Sequence, residues 1–191
     1  IEALVGLATQ RLDAEVNRRM LNLLQAAIPS TSSYYVNATT GLTKTILDTA
    51  LREVQDNVQP NNGGVAAPVT ILGRAAMIDQ ISDVVTDAAA LFDPEATAEI
   101  RRRGRLGVYR GANIVRINNY TDENDQSYIP DNELWVFGGT VGVFAKYGGM
   151  QTKSWEENTV DYRHYRGRMD CGGLIYRPEQ ARRIVDGTVT P

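Results

Sequence analysis

The 191 residues predict an α+β fold. In the first half apolar residues recur at spacings of three and four, the helical period. From Leu106 onward they alternate or run together in short blocks, the strand period. The two kinds of element are segregated along the chain, without the regular strand–helix–strand alternation of a doubly wound protein. No internal repeat is present.

A long helix is expected over Leu12–Ile28. Leu12, Val16, Met20, Leu23 and Ala27 form one stripe, widened by Leu24 and Ile28, while Arg11, Asp13, Arg18, Arg19 and Asn22 fall on the other face. Pro29 and "STSS" end it. "SYYVNATTG" reads as a short strand and turn. Thr40 or Thr43 then caps a second helix, whose buried face is Leu42, Ile46, Leu47, Ala50, Leu51 and Val54. Gln59–Pro68 is a loop of breakers. A buried strand follows at Val69–Leu72, and then a third helix with Met77, Ile78, Ile81, Val84 and Val85 inward. Asp93-Pro94 marks the start of a short fourth helix that Gly104 ends. "LGVY" and "NIVRIN" are strands joined by "RG", and "YTDENDQSY" is a polar loop. "ELWVFGG" and "TVGVFAKYG" are further strands. Met150–Asn158 is another, Leu174–Tyr176 one more, and a helical turn follows Pro178.

Composition narrows the function. Hydrophobic residues make up 42% and charged residues 23%, enough apolar content for a real core. The net charge of −3 argues against binding driven by attraction to a polyanion. Only Lys44, Lys146 and Lys153 are lysines. The arginine bias suits forked pairing with carboxylates between proteins as well as contact with phosphate. Cys171 is the single cysteine and His164 the single histidine, so there is no internal disulfide and no Cys/His zinc set. No apolar run approaches a membrane span, and "IEALVGLATQRLDAEVNRR" lacks the layout of a signal peptide. A start at Ile1, directly into a helical pattern, reads as a piece of something longer.

Motifs that suggest chemistry are weak. "TTGLTKT" lacks the glycine before Lys44 that a phosphate loop needs, and helix capping accounts for its threonines. "GRLGVYRG" does not match G-x-G-x-x-G and leads into a strand, not a helix. Asp122–Asp125 resembles a calcium loop in composition only. Cys171 and His164 could make a thiol enzyme, but "DCGG" carries no supporting signature, and a structural cysteine is the simpler reading. Arg101–Arg103 with Arg105, and the interleaved "YRHYRGR", could serve a nucleic-acid-binding module. Arginines at a helix C-terminus also satisfy carbonyls and the helix dipole, and Tyr–Arg alternation also makes an ordinary protein interface. No residue is assigned as catalytic, cofactor-binding or metal-ligating, and no cofactor is expected.

Taken in order, a long amphipathic helix is followed by the helix "LTKTILDTALREVQD". "PVTILGRAAMIDQI" then runs from strand to helix. "GRLGVYRGANIVRINN", "YIPDNELWVFGG" and a strand-rich tail ending in "GGLIYRPEQARRIV" complete the chain. Over nearly its whole length this resembles the major capsid (coat) protein of tailed bacteriophages, whose fold also occurs in encapsulins and in the floor of herpesvirus capsids. The resemblance implies a spine helix, a peripheral domain over residues 1–40 and 150–191, and an axial domain over 41–149 with a central β-sheet flanked by helices. Residues 120–128 would form the axial tip. The N-terminal arm and hairpin arm that precede the spine helix in that family are not evident, so the chain reads as a fragment.

The function so implied is structural and non-enzymatic. The chain would be a subunit of an icosahedral viral shell, assembled as hexamers and pentamers in the bacterial host cytoplasm and residing in the virion. Its partners would be copies of itself, with scaffolding and portal proteins, packaged DNA by non-specific proximity only, and no membrane. The alternatives are an encapsulin-like shell, the arginine-rich nucleic-acid module and the thiol enzyme.

Overall fold

The first helix, α1, spans Glu2–Ala27, beginning earlier than the apolar stripe alone indicates. At 1.5 Å per residue its 26 residues reach about 39 Å. The Ile28 amide closes the last turn on the Leu24 carbonyl at 3.0 Å, and Pro29 blocks continuation. The structure is a computed structural model that describes residues 2–58, 68–89, 107–117, 130–157 and 162–189.

Strand β1 is Tyr35–Ala38, helix α2 Lys44–Asn57, strand β2 Val69–Gly73 and helix α3 Ala75–Ala89. Thr43, not Thr40, caps α2: its Oγ1 accepts a hydrogen bond from the Ile46 amide at 3.3 Å. Strands β3 (Val108–Tyr109) and β4 (Ala112–Arg116) meet at the expected "RG" turn. Arg110 and Gly111 have φ of 47° and 78°, so both occupy the left-handed region that a tight two-residue hairpin demands. Strand β5 is Glu133–Gly138. The expected fourth helix after Asp93, the arginine run at 101–105 and the polar loop at 120–128 lie outside the described residues.

Near the C-terminus the structure departs from expectation. "TVGVFAKYG" and Met150–Asn158, expected as two strands, are one strand, β6, over Gly142–Glu157. Gly148 (φ +72°) lets the chain pass through a bulge between Tyr147 and Gln151 and does not turn it. β6 pairs antiparallel with β7, Tyr162–Ile175, which absorbs both the aromatic "YRHYRGR" segment and most of the expected Leu174–Tyr176 strand. The turn after Pro178 is a single 3-10 turn, Pro178–Gln180. The residues beyond it form an unforeseen strand, β8, Ala181–Asp186.

β8 is a strand because its side chains have two different destinations. Ala181 joins the apolar cluster of α1, and Arg183 bonds to the end of that helix. Ile184 joins the cluster of α2, and Arg182 pairs with Glu53. Alternation of this kind is the period of a strand buried on both faces. The sheet runs β1-β8-β5-β2-β4-β3, with β1–β8 and β2–β4 parallel and the other pairs antiparallel. β1 and β8, placed by expectation with the segments 1–40 and 150–191, thus belong to the same sheet as β2, β4 and β5.

Each face of the sheet has its own cover. Leu134 and Val136 of β5, with Ile71 and Ile184, pack with Leu47, Leu51 and Val54 of α2 and Met77, Ile78 and Ile81 of α3. Trp135 and Phe137 of the same strand pack with Leu21, Leu24 and Ile28 at the end of α1. β5 is therefore apolar at nearly every position, as a strand covered on both faces must be. Among the described residues β6 and β7 pair only with each other, in a ribbon separate from the sheet.

Candidate assembly surface

The ribbon springs from the seam between α1 and the sheet, and a buried polar network holds that seam. Glu133, 3% exposed, accepts hydrogen bonds from Gln25 Nε2 of α1 at 3.0 Å and Trp135 Nε1 at 3.2 Å, and it pairs with the Arg183 guanidinium. Arg183 also donates to the Ile28 carbonyl at 3.3 Å, and it lies over the rings of Tyr35 and Trp135. One guanidinium thus neutralises a buried carboxylate and caps the end of the long helix, where a cation is favoured. On the opposite face Arg182 Nε donates to Glu53 Oε2 at 2.8 Å and lies over the Tyr34 ring.

At the end of β8 the buried Asp186 accepts hydrogen bonds from the Leu42 amide at 3.1 Å, the Thr188 amide at 2.7 Å and the Thr188 hydroxyl at 2.6 Å. Burial pushes its pKa up, but these bonds and one from Gln80 outweigh burial and hold the carboxyl below its usual range. Tyr109 shows the reverse. Burial, together with its 2.6 Å hydrogen bond to Asp48, pushes its phenol well above the ordinary range. Asp48 also pairs with Lys44 and Arg110, so the one lysine near the phosphate-loop-like string is committed to an ion pair.

Val141 anchors the root of the ribbon. It is buried, and its carbonyl accepts from the amides of Tyr176 and Arg177 at 3.2 and 3.0 Å. Gly173 lies so close to α1 that a Cβ there would come within 2.8 Å of both Leu23 and Phe144. Beside this contact is a cleft of about 330 Å³, walled by Met20, Leu23 and Leu24 on one side and by Phe144, Gly173 and Ile175 on the other. Its lining is apolar apart from the Thr140 hydroxyl and offers no acid or base, which suits it to apolar groups.

Beyond the root the two faces of the ribbon differ. Phe144, Gly173 and Cys171 lie on the α1 side, and Cys171 sits beside the Arg19 guanidinium. Val143 faces the other way opposite Leu174, and Tyr147 opposite Asp170. These apolar side chains are 57%, 66% and 84% exposed, an unusual concentration for an ordered strand pair. Farther out on this outward face come Gln151 opposite Arg168 and Lys153 opposite Arg166. At 3.3 Å per residue the 16 residues of β6 extend roughly 50 Å.

The thiol-enzyme reading finds no support in this geometry. Cys171 and His164 share strand β7 but stand seven residues apart, roughly 23 Å along it, too far for a nucleophile and its base. Among the described residues no group of three or more His, Cys, Asp and Glu side chains could hold a metal ion. Among them, too, no helix is long and apolar enough to cross a membrane. Asp122–Asp125 and Arg101–Arg105 lie outside the described residues. Two features escaped the sequence reading: the Glu133–Arg183 pair and the joined β6–β7 ribbon. The alternation in "ARRIVD" was the available signal for the first. For the second it was the charged and aromatic side chains on both sides of "EENTVD".

Comparison with known proteins agrees with this architecture. A chain of Mycobacterium phage Che8 superposes with a TM-score of 0.66 at 17% identity, over 96% of this chain and 62% of that one. At that identity the likeness is one of fold. This chain spans less than two thirds of the Che8 chain's length. The satellite phage P4 procapsid that includes the size determination (Sid) protein matches at 9% identity and a TM-score of 0.45, over 81% of this chain and 42% of that one. The holo-SrpI encapsulin complex of Synechococcus elongatus PCC 7942 matches at 13% and 0.46, over 95% and 66%. Those two similarities are too slight to bear on the fold. No curated protein matches the sequence. The family model described as "SPbeta prophage-derived putative capsid protein YonB" matches residues 8–179. The α+β fold, with its long first helix and central sheet flanked by helices, is of the phage major-capsid type, and the chain belongs to the YonB family of prophage-derived capsid proteins.

Proposed function

We propose that the chain is the shell-forming part of a capsid subunit, with no enzymatic role, and that many copies associate as hexamers and pentamers around packaged DNA. The observation that carries this reading is the ribbon. A two-stranded ribbon in water is marginal, and among the described residues this one pairs with no third strand. Its outward face places Val143, Leu174 and Tyr147 in solvent in the isolated chain. A neighbouring copy that covers this face would stabilise both partners by burying apolar area, about 25 cal/mol per Å².

In this reading α1 and the β6–β7 ribbon make the peripheral domain, and the six-stranded sheet with α2 and α3 makes the axial domain. The expected division at residues 40 and 150 is then adjusted to place β1 and β8 with the sheet. Assembly takes place in the bacterial host cytoplasm and the product is the virion shell, with scaffolding and portal proteins as further partners. The test is light scattering and electron microscopy of the full-length protein over a range of concentrations. Rings or closed shells are expected as concentration rises. Monomers under every assembly condition would contradict the reading.

A further inference from the structure

Among the described residues, two places on the surface set like charges against each other with no opposite charge paired to them. On the outward face of the ribbon Lys153 and Arg166 are direct cross-strand partners. Both are exposed, and neither has an acidic partner among the described residues. Like charges placed directly opposite on a strand pair destabilise it, with Cβ atoms only about 5 Å apart. On α3 Asp79 and Asp83 stand one helical turn apart. They are likewise exposed and without a cationic partner among the described residues. Like charges at this spacing destabilise a helix, and their Cβ atoms lie about 5–6 Å apart. The two pairs are opposite in sign and nearly equal in spacing. The next cation along the ribbon, Arg168, is already paired with Asp170 at 3.2 Å.

We propose that Lys153 and Arg166 of one copy dock on Asp79 and Asp83 of the next, so that each unfavourable pair is neutralised by the other. This rests on the shell-subunit reading and names the contact by which copies find their register. The occupant is a second copy because the complementary charges are present on the chain itself. A nucleic acid would meet only two unpaired cations here, on a chain whose net charge is −3. The contact joins two different patches; used head to tail it is heterologous, and where the rotation closes it makes a ring. Rim charges of this kind set register and encounter rate more than raw affinity.

The test is a charge swap in the full-length protein, read as particle yield by sedimentation under conditions where the native sequence assembles. Lys153→Glu with Arg166→Glu is expected to lower the yield about tenfold or more, and Asp79→Lys with Asp83→Lys to do the same. All four together should restore it to within about twofold of native. Thermal melting checks that each variant folds, and the milder pairs Lys153→Gln/Arg166→Gln and Asp79→Asn/Asp83→Asn serve where a reversed pair does not. Near-native yield from either reversed pair would overturn the proposal, as would failure of the folded four-fold variant to recover. A ribbon variant that assembles normally but loses salt-sensitive binding to duplex DNA would overturn it in favour of nucleic acid. If the native protein itself forms no particles, the shell-subunit reading falls and this contact falls with it.

Discussion

The central strand of the sheet has an apolar layer on each face, and the ribbon has one on a single face at its root. Trp135 and Ile184 are fully buried, on opposite sides of the same sheet, while Leu174 and Val143 of the ribbon remain more than half exposed. The strands are alike in backbone, and the difference lies in what covers them. The sheet draws its cover from α1, α2 and α3 of its own chain, so it can be stable in one copy. At its root the ribbon draws cover from α1, and the described side chains of its outer length, Gln151, Lys153, Ser154, Arg166 and Arg168, are exposed. In the proposed reading the molecule thus combines a self-sufficient body with a segment that association completes.

The largest effects are expected where the body is cut. Trp135→Ala should lower unfolding free energy by about 3–5 kcal/mol, read from chemical denaturation, because it empties a fully buried indole site. Arg183→Met should cost about 3–5 kcal/mol in the same assay, because it leaves the buried Glu133 carboxylate without its cation. Glu133→Gln added to Arg183→Met should recover part of that loss. No recovery would mean that the network is not held by charge neutralisation.

Gly173→Ala tests the joint between the two regions. The added Cβ meets Leu23 and Phe144, so about 1–3 kcal/mol is expected, with the ribbon root more mobile than the sheet. Acid affects the body more gently. Asp186 has a depressed folded-state pKa, so its contribution is fully present above the unfolded pKa of about 4. It is lost as pH falls through the lower folded value. Asp186→Asn should therefore flatten stability against pH in that acid window and cost about 1–3 kcal/mol at neutral pH. The smallest folding effect belongs to the ribbon. Leu174→Ser should change the stability of a single copy by less than about 0.5 kcal/mol and yet reduce particle yield.

The body was largely legible in the sequence because its signals are local. The stripes of α1, α2 and α3, the Thr43 cap and the "RG" turn each declare themselves within a few residues. β8 did not, because "QARRIV" after a proline has the composition of a helix, and only its two-sided burial makes it a strand. The ribbon was seen in pieces for a related reason. Gly148 and Gly149 punctuate the sequence like a turn, whereas the chain is kept extended past them by a partner strand, with Tyr147 opposite Asp170 and Gln151 opposite Arg168, far outside any local window. The charge pairs are farther still from local reading, since Lys153 meets Arg166 only once the register is known.

Hydrogen exchange on the free subunit and on assembled particles tests the central claim most directly. The account predicts that amides of β5 and β8 are strongly protected in both states. Those of the outer ribbon, 151–157 and 162–168, should exchange rapidly in the free chain and become protected in particles. Equal protection of that segment in the free subunit, or no gain on assembly, would contradict it.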